Sequence, residues 1–296
     1  MSLQTPYSAR MASRLIVLDE SKQSRHRILS VGGVVLDLGD LAAIEADWAA
    51  ARHAAGIEAG SALKYSMRWP EGPEQRAYLL VTISELPVSA VISLLEDFRP
   101  LSMKAPGRAT RKDAYIQRKA FEYTLQRLAG ELYVPAGEAG PHLVMIDGRD
   151  DFKQFQEVYE SGYVSGWPHL PHHPMPALRE RGFSASLGVC SNGPMHEIAD
   201  LLVSCVTRWA DERCMAHKEG KAPNLEELDR CVAELVDLFP VGRQSIPPRH
   251  SGHSMVVHAG NRTDKELLRD NLDHWAHTLK RPRAFDLGST ADDIPF

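Results

Sequence analysis

The stretch LIVLDESKQSRHRILSVGGVVLD, from Leu15 to Asp37, holds two apolar runs that are separated by a short polar connection. Leu15–Leu18 is aliphatic with β-branched members, which is typical of a buried strand. The second run, Arg27–Asp37, predicts another strand, and the short connection predicts that the two strands pair as an antiparallel hairpin. Gly32 and Gly33 interrupt the second strand, which indicates a bulge or a close approach of another backbone.

Two adjacent acids, Asp19 and Glu20, lie at the end of the first predicted strand. Two neighbouring carboxylates repel each other unless a positive group lies beside them, such as a backbone donor, a lysine or a metal ion. Acids in this position also cap the turn or helix that follows a strand. The residues alone therefore leave a structural and a functional explanation open for this pair.

The composition is that of an ordinary globular protein. The chain has 296 residues, of which 43% are hydrophobic and 25% are charged. This length allows one large domain or two smaller ones. With a net charge of −5 there is no global basic signature, so a nucleic-acid ligand would need a local basic face.

The cysteines and the hydropathy predict a cytoplasmic protein. The four cysteines form no CxxC pair, which favours thiols in a reducing compartment; they are Cys190, Cys205, Cys214 and Cys231. No apolar run approaches the ~20 residues that a membrane span needs. The first ten residues lack the apolar core of a signal peptide, and residues 1–14 are predicted to be a loose leader.

The order of the remaining elements predicts an α/β fold with an antiparallel start and parallel crossover units later. Further strands are predicted at 88–96, 143–146 and 182–191, and helices at 40–56, 73–86, 108–132, 151–160, 193–213, 225–239 and 264–280. The polar stretch 240–263 is predicted to be mostly loop. We expect one α/β domain over 15–215 and a helical extension over 216–296, packed on the domain or on a partner subunit.

Two further acids occupy positions in predicted elements that are comparable to that of Asp19. Asp147 ends the apolar strand 143–146, and Asp200 lies inside an apolar helix, where it follows His196 and Glu197 at helical spacing. Ligands of an open α/β sheet collect outside the carboxyl ends of strands, so Asp19 and Asp147 meet there if their strands are neighbours. A helix beside that edge adds Asp200. The alternative for each acid is a cap or a solvated helix residue.

Carboxylate oxygens with open positions suit Mg²⁺ or Mn²⁺ better than Zn²⁺. Two such ions about 3.5–4 Å apart clamp the attacking and leaving oxygens of a phosphodiester. The three aspartates therefore predict a site for hydrolysis of phosphodiester bonds by metal-activated water.

Short motifs along the chain resemble the bacterial domain-of-unknown-function family numbered 3800. The resemblance runs in order from Leu15 to Arg213, and the motifs that carry it are LDES (18–21), SVGGVV (30–35), LKYS (63–66), MID (145–147) and HEIADLLVS (196–204). It implies a ribonuclease H-like fold, with a mixed five-stranded sheet flanked by helices, and a metal-dependent nuclease-type site. It also implies Asp19, Asp147 and Asp200 as the metal-binding residues.

The same resemblance assigns further roles and shows departures. Glu20 and Ser21 complete the first motif; we expect Glu20 to be a secondary ligand or orienting group and Ser21 to bind substrate. Lys64 matches a lysine that would steady the phosphate. The acid expected two residues before that lysine is Ala62 here. Glu197 stands where the family usually has glutamine, so it is either an additional ligand or a departure from the pattern.

Basic residues offer a local face for nucleic acid. Arg111 and Lys112 belong to a basic run on the long helix 108–132, which would track a phosphate backbone or simply form a solvated face. Lys64 has the same two interpretations.

Three functions remain open at this point. The first is a Mg²⁺- or Mn²⁺-dependent nuclease or phosphodiesterase, and the second is a non-catalytic nucleic-acid-binding or scaffold module of a bacterial defence or mobile-element system. The third is a hydrolase of small phosphoesters. The expected partner is DNA or RNA rather than a membrane, and a homodimer is also left open.

Overall fold

The computed structural model of the chain describes residues 14–22, 28–66, 72–96, 110–128, 141–147, 152–160, 184–190, 193–219, 225–240 and 255–258. Its strands are β1 (Arg14–Lys22), β2 (Ile28–Asp37), β3 (Ser89–Glu96), β4 (Pro141–Asp147), β5 (Ser184–Cys190) and β6 (Met255–His258). Its α-helices are α1 (Leu41–Ala54), α2 (Pro73–Glu85), α3 (Thr110–Leu128), α4 (Phe152–Val158), α5 (Pro194–Glu219) and α6 (Leu225–Leu235).

The described strands form one mixed sheet in the order β5-β4-β1-β2-β3-β6. β2 is antiparallel to both of its neighbours, β1 and β3. The β1–β4, β4–β5 and β3–β6 pairs are parallel. The predicted α/β class, with an antiparallel hairpin first and parallel strands later, is confirmed.

The first strand is longer than its apolar run predicts. β1 pairs with β2 from Arg14 to Lys22, whereas its pairing with β4 reaches only from Arg14 to Leu18. The prediction that the strand ends at the two acids is therefore wrong, because β2 continues to satisfy the β1 backbone beyond them. Asp19 marks instead the point where β1 extends past β4.

Gly32 and Gly33 mark a close approach of backbones and no bulge, since the β1–β2 and β2–β3 registers run through both residues without interruption. A Cβ atom on Gly33 would overlap the carbonyl oxygen of Val17, and one on Gly32 would overlap that of Val91. The sequence left these two explanations open, and the structure selects the second.

Two hydrophobic clusters cover the two faces of the sheet. On one face, Leu15 and Val17 of β1 pack with residues of α1, α2, α5 and α6. On the other, Ile16 and Leu18 pack with residues of α3 and α4. The alternation of β1 therefore assigns odd-numbered residues to the α5 face and even-numbered residues to the α3 face.

The C-terminal part differs from the predicted helical extension in two respects. Residues 255–258 form β6, which pairs with β3, although the stretch 240–263 was predicted to be mostly loop. Helix α5 continues through residue 215, where we expected the first domain to end, as far as Glu219. The predicted helix 264–280 and residues 1–13 of the predicted leader 1–14 lie outside the described residues, and Arg14 belongs to β1. Within the described part of the chain, no helix is both long and apolar enough to span a membrane.

Replacing Gly33 by alanine should destabilise the fold severely. The added methyl group meets rigid backbone atoms of β1, and overpacking of this kind costs about 2 kcal/mol or more. The matched control is Gly39→Ala, where the new methyl group meets only the end of the Asp37 side chain. Urea denaturation of both variants measures the difference, and equal stabilities would contradict the close approach at Gly33.

Lowering the pH should weaken the pairing of β1 with β4, because protonation of the buried His142 of β4 is unfavourable. Burial, assisted by Arg14, lowers the pKa of His142 from its ordinary 6.5 to about 4. The folded state therefore disfavours the protonated ring, and stability is lost as the pH falls from the unfolded pKa towards the folded one. From about pH 7 to about pH 5 we expect a loss of roughly 1–2 kcal/mol, which allows for solvent screening.

The variant His142→Gln should lose less stability over this pH range than the wild type. The control is His53→Gln, which replaces an exposed histidine of α1 that lies outside the β1–β4 pairing. Chemical denaturation at each pH gives the free energy of unfolding, and parallel curves for wild type and His142→Gln would disprove the assignment.

Candidate active site

Asp19 and Asp147 occupy neighbouring positions on two parallel strands, where β4 ends and β1 extends past it. The β1–β4 ladder ends with the pair Leu18 and Ile146, and each aspartate is the next residue of its strand. The condition under which the two aspartates would meet, that their strands are neighbours, is therefore fulfilled. Asp19 is 4% exposed, and its Oδ1 accepts a hydrogen bond of 2.7 Å from the backbone N–H of Glu20. Asp147 is placed by its backbone, which pairs with Cys190 of β5.

Asp200 lies on α5, the helix that packs against β1 and β2. Its Oδ2 accepts a 2.6 Å hydrogen bond from the backbone N–H of Tyr65, and its Oδ1 lies 3.4 Å from the hydroxyl of Ser204. The carboxylate is half-buried and held at both oxygens. It is therefore not a solvated helix residue, which was the structural alternative for it.

A serine pair connects Asp200 to the end of β1. The Ser204 hydroxyl, which contacts Asp200, also lies 3.2 Å from the Ser21 hydroxyl, within hydrogen-bonding distance. Ser21 is an odd-numbered residue of β1 and shares the α5 face with Asp19, two positions earlier. One helix turn further along α5, Thr207 is hydrogen-bonded to Ser30 of β2. These contacts fix α5 on the face of the sheet that bears Asp19.

The segment 57–66, which follows α1, is attached to the same helix at two places. The guanidinium of Arg52 donates to the carbonyl oxygen of Ser61 at 2.7 Å. Arg52 also forms an ion pair with Glu197 of α5. The second attachment is the hydrogen bond from Tyr65 to Asp200.

Glu197 contacts other protein groups at both of its carboxylate oxygens. Trp48 donates its indole N–H to Oε2 at 3.0 Å, and Arg52 pairs with Oε1. Trp48 is fully buried, so its N–H needs this acceptor. This geometry assigns Glu197 a role in holding α1 and its following loop on α5, rather than the role of an additional ligand.

Glu20 lies apart from the other acids. As an even-numbered residue of β1 it belongs to the α3 face, and its Oε2 accepts a 2.8 Å hydrogen bond from Gln117 of α3. The two adjacent acids of the opening motif thus go to opposite faces of the sheet, which removes much of their mutual repulsion. The interpretation of Glu20 as a group that supports the Asp19 site does not fit this placement.

The structure describes the predicted substrate-binding residues less completely. Lys64 is half-buried and immediately precedes Tyr65, so its backbone lies next to the Asp200 contact. Arg111 and Lys112 belong to α3, on the other face of the sheet from Asp200, and their side chains lie outside the described part of the structure. The basic run on α3 is therefore not brought to the face that carries Asp19 and Asp200.

The donor set has the chemistry of a hard-cation site, since aspartate oxygens are the ligands that Mg²⁺ and Mn²⁺ prefer. Among the side chains that the structure describes, no group of three or more His, Cys, Asp or Glu converges closely enough to hold a metal ion. The side chain of Asp147 is outside that set. The metal triad therefore stays a prediction.

Sequence reasoning missed the groups that hold these acids in place, namely Trp48, Arg52 and the backbone of Tyr65. One signal was present: polar residues recur along the apolar helix α5 at spacings of three and four, at Glu197, Asp200, Ser204 and Thr207. Such a polar stripe in a buried helix predicts partners on neighbouring elements. The identity of those partners depends on the fold.

The side chain of Tyr65 is buried behind the site. Its ring stacks beneath the guanidinium of Arg76 at 4.9 Å, and Arg76 also binds Glu227 of α6 at 2.6 Å. Burial, with a smaller contribution from Cys205, raises the pKa of Tyr65 well above its usual value. The phenol therefore stays neutral and anchors the backbone that contacts Asp200.

Comparison of the sequence with protein-family models and with curated proteins finds no match.

Removing the Glu197 carboxylate should reduce stability in a way that does not depend on metal. Glu197→Ala leaves the buried indole N–H of Trp48 and the Arg52 guanidinium without their acceptor, which should cost about 2–3 kcal/mol. Glu197→Gln keeps one acceptor oxygen and should cost about 1 kcal/mol.

Urea denaturation with and without Mn²⁺ distinguishes this structural role from a ligand role, and Glu234→Gln, at an exposed position of α6, is the control. A stability deficit of Glu197→Gln that is present only when Mn²⁺ is added would instead identify Glu197 as a ligand.

Proposed function

We propose that this protein is a Mg²⁺- or Mn²⁺-dependent phosphodiesterase or nuclease of the ribonuclease H-like type, in which Asp19, Asp147 and Asp200 hold the cation. The observation that carries the proposal is the backbone placement of three acids that are far apart in the sequence. Asp19 and Asp147 lie at adjacent positions of two neighbouring parallel strands, and Asp200 is connected to β1 through Ser204 and Ser21.

The sheet supports the ribonuclease H-like part of this proposal. Strands β1–β5 form a mixed sheet with β2 antiparallel to its neighbours and helices on both faces. The resemblance to the family numbered 3800 implies a mixed five-stranded sheet flanked by helices, and the described sheet carries β6 as a sixth strand beside β3. Function in such folds depends on the site rather than on the architecture, so the acids bear the functional argument.

The residues of the chain would act in three ways. Asp19 presents a nearly buried carboxylate at the strand edge, and Tyr65 and Ser204 fix the orientation of Asp200 before any ligand arrives. Lys64, next to Tyr65, provides a cation for a phosphate oxygen. When bound, a divalent cation supplies positive charge beside the phosphoryl oxygens and lowers the pKa of water, which is the chemistry that phosphodiester hydrolysis needs.

A non-catalytic binding module is the second candidate, and two observations favour it. Glu197 is occupied by Trp48 and Arg52, and the position that carries an acid in the resembling family is Ala62. The candidate site therefore has fewer acids than its sequence pattern first indicates, and a site with fewer acids binds cations more weakly.

Cleavage of single-stranded and duplex DNA and RNA in the presence of Mn²⁺ tests the proposal. The wild type should cleave at least one polymer, and Asp19→Asn, Asp147→Asn and Asp200→Asn should each reduce the rate by about 100-fold or more, because each removes a charged ligand. The control is Asp47→Asn, which changes an exposed aspartate on α1 and should leave the rate unchanged.

The other outcomes are equally informative. Tight nucleic-acid binding without turnover supports the binding module and contradicts the nuclease. Turnover of small phosphoesters alone supports the third function that the sequence left open. Full activity of Asp147→Asn would exclude the aspartate triad.

A further inference from the structure

The guanidinium of Arg76, on α2, lies between an aromatic ring and a carboxylate that come from two other parts of the fold. Its central carbon is 4.9 Å from the centre of the Tyr65 ring, and its Nη2 atom donates a 2.6 Å hydrogen bond to Oε1 of Glu227 on α6. The Arg76 side chain is 16% exposed, so both contacts are largely shielded from water. A cation attracts an aromatic face most strongly when it is desolvated. Arg76 therefore links α6 to the Tyr65 ring.

Tyr65 links the same ring to the proposed cation site through its backbone. The residue is 4% exposed, and its side chain packs in the hydrophobic cluster that contains residues of α2, α5 and α6. Its backbone N–H donates a 2.6 Å hydrogen bond to Oδ2 of Asp200. Because close packing leaves the ring few alternative rotamers, a displacement of the ring moves the backbone with it. The direction of the Asp200 carboxylate thus depends on how firmly the ring is held.

The Tyr65 N–H is the better placed of the two groups that contact Asp200. Its hydrogen bond of 2.6 Å is short, whereas the Ser204 hydroxyl lies at 3.4 Å, where hydrogen bonds are weak. A hydrogen bond to a metal-binding carboxylate orients it before the cation arrives, and loss of such a bond weakens cation binding. Whatever holds Tyr65 in place therefore also controls the readiness of Asp200 for a cation.

We propose that Arg76 is a positioning residue, which is held by Glu227 and keeps the Tyr65 N–H directed at Asp200. The consequence for cation affinity rests on the proposed function, whereas the hydrogen bond itself forms without any ligand. Loss of the Arg76 cation loosens the ring, and the carboxylate must then be ordered when the cation binds, which lowers the affinity. Coupling between two sites is reciprocal, so a cation bound by Asp200 also favours the contact of α2 with α6.

Two variants of the full chain interrupt this arrangement at different points. Arg76→Met keeps a long side chain and removes the cation, and Tyr65→Leu removes the ring but keeps the backbone N–H. Each should weaken the binding of Mn²⁺, measured by isothermal titration calorimetry, by about 5–10-fold. The double variant should bind about as well as either single variant, because both changes remove the same coupling.

Exchange of the residue 65 amide hydrogen, followed by NMR without any cation, is the readout that does not need the proposed function. Local opening of a hydrogen bond sets the rate of this exchange. Arg76→Met should therefore speed the exchange by about 5–10-fold relative to the wild type. Circular dichroism confirms that each variant is folded. Where Tyr65→Leu does not fold, Glu227→Gln takes its place, since it loosens Arg76 from the other side.

The matched control is Arg213→Met. Arg213 of α5 forms an ion pair with Asp229 and so also attaches α6 to a neighbouring helix, but it lies thirteen residues along α5 from Asp200. Its loss should lower the free energy of unfolding and leave both the Mn²⁺ affinity and the exchange of the Tyr65 amide at their wild-type values. This control separates positioning of Asp200 from a general loosening of α6.

The outcomes distinguish this proposal from the proposed function. A wild type that binds no Mn²⁺, together with faster Tyr65 amide exchange in Arg76→Met, refutes the cation site and supports the positioning role. A wild type that binds Mn²⁺, with either the affinity or the amide exchange unchanged in Arg76→Met, overturns the positioning role and leaves the cation site standing. Additive losses in the double variant, or equal effects of Arg213→Met, also overturn the positioning role.

Discussion

Helix α5 has to lie in one register on the β1–β2 face of the sheet, and the rest of the candidate site depends on this constraint. Polar side chains recur along the helix, and each meets a partner from a different part of the chain: Glu197 meets α1, Asp200 meets the segment 57–66, Ser204 meets β1 and Thr207 meets β2. A shift of the helix by one residue would leave several buried polar groups without partners, which is costly in free energy. These bonds therefore select one arrangement among those that the apolar packing alone would allow.

The central hairpin of β1 and β2 forms the surface on which α5 packs in that register. Gly32 and Gly33 let the backbones of β1 and β3 approach β2 closely, and the approach leaves no room for a Cβ atom. β1 can then extend past β4 with its backbone still satisfied by β2. As a consequence, β1 continues beyond Asp19 without β4 beside it, because β4 ends at Asp147.

The acids of the sequence motifs fall into two groups. Some form contacts that stabilise the fold, and others lie near the place where β1 extends past β4. Glu20 binds Gln117 on the α3 face, and Glu197 holds Trp48 and Arg52. Asp19 and Asp200 remain on the α5 face, beside the position of Asp147. The acid-rich motifs of the sequence thus contribute to two different tasks, and only some of their members can serve a common cation.

Local sequence patterns were sufficient to predict much of the secondary structure of this protein. Apolar runs and helix-start prolines predicted most of the described helices and strands and the hairpin, because these features depend on neighbours in sequence. The two glycines left a bulge and a close backbone approach open, and the adjacency of Asp19 and Asp147 depended on a strand order that the sequence did not fix. The sequence could not decide between the two faces of β1 for its adjacent acids, and it gave too weak a signal for the short strand β6. Tertiary structure alone decided that Glu197 is bound by Trp48 and Arg52 and that Asp200 is held by Tyr65, because these partners are far apart in the chain and meet only after α1, the segment 57–66 and α5 have packed together.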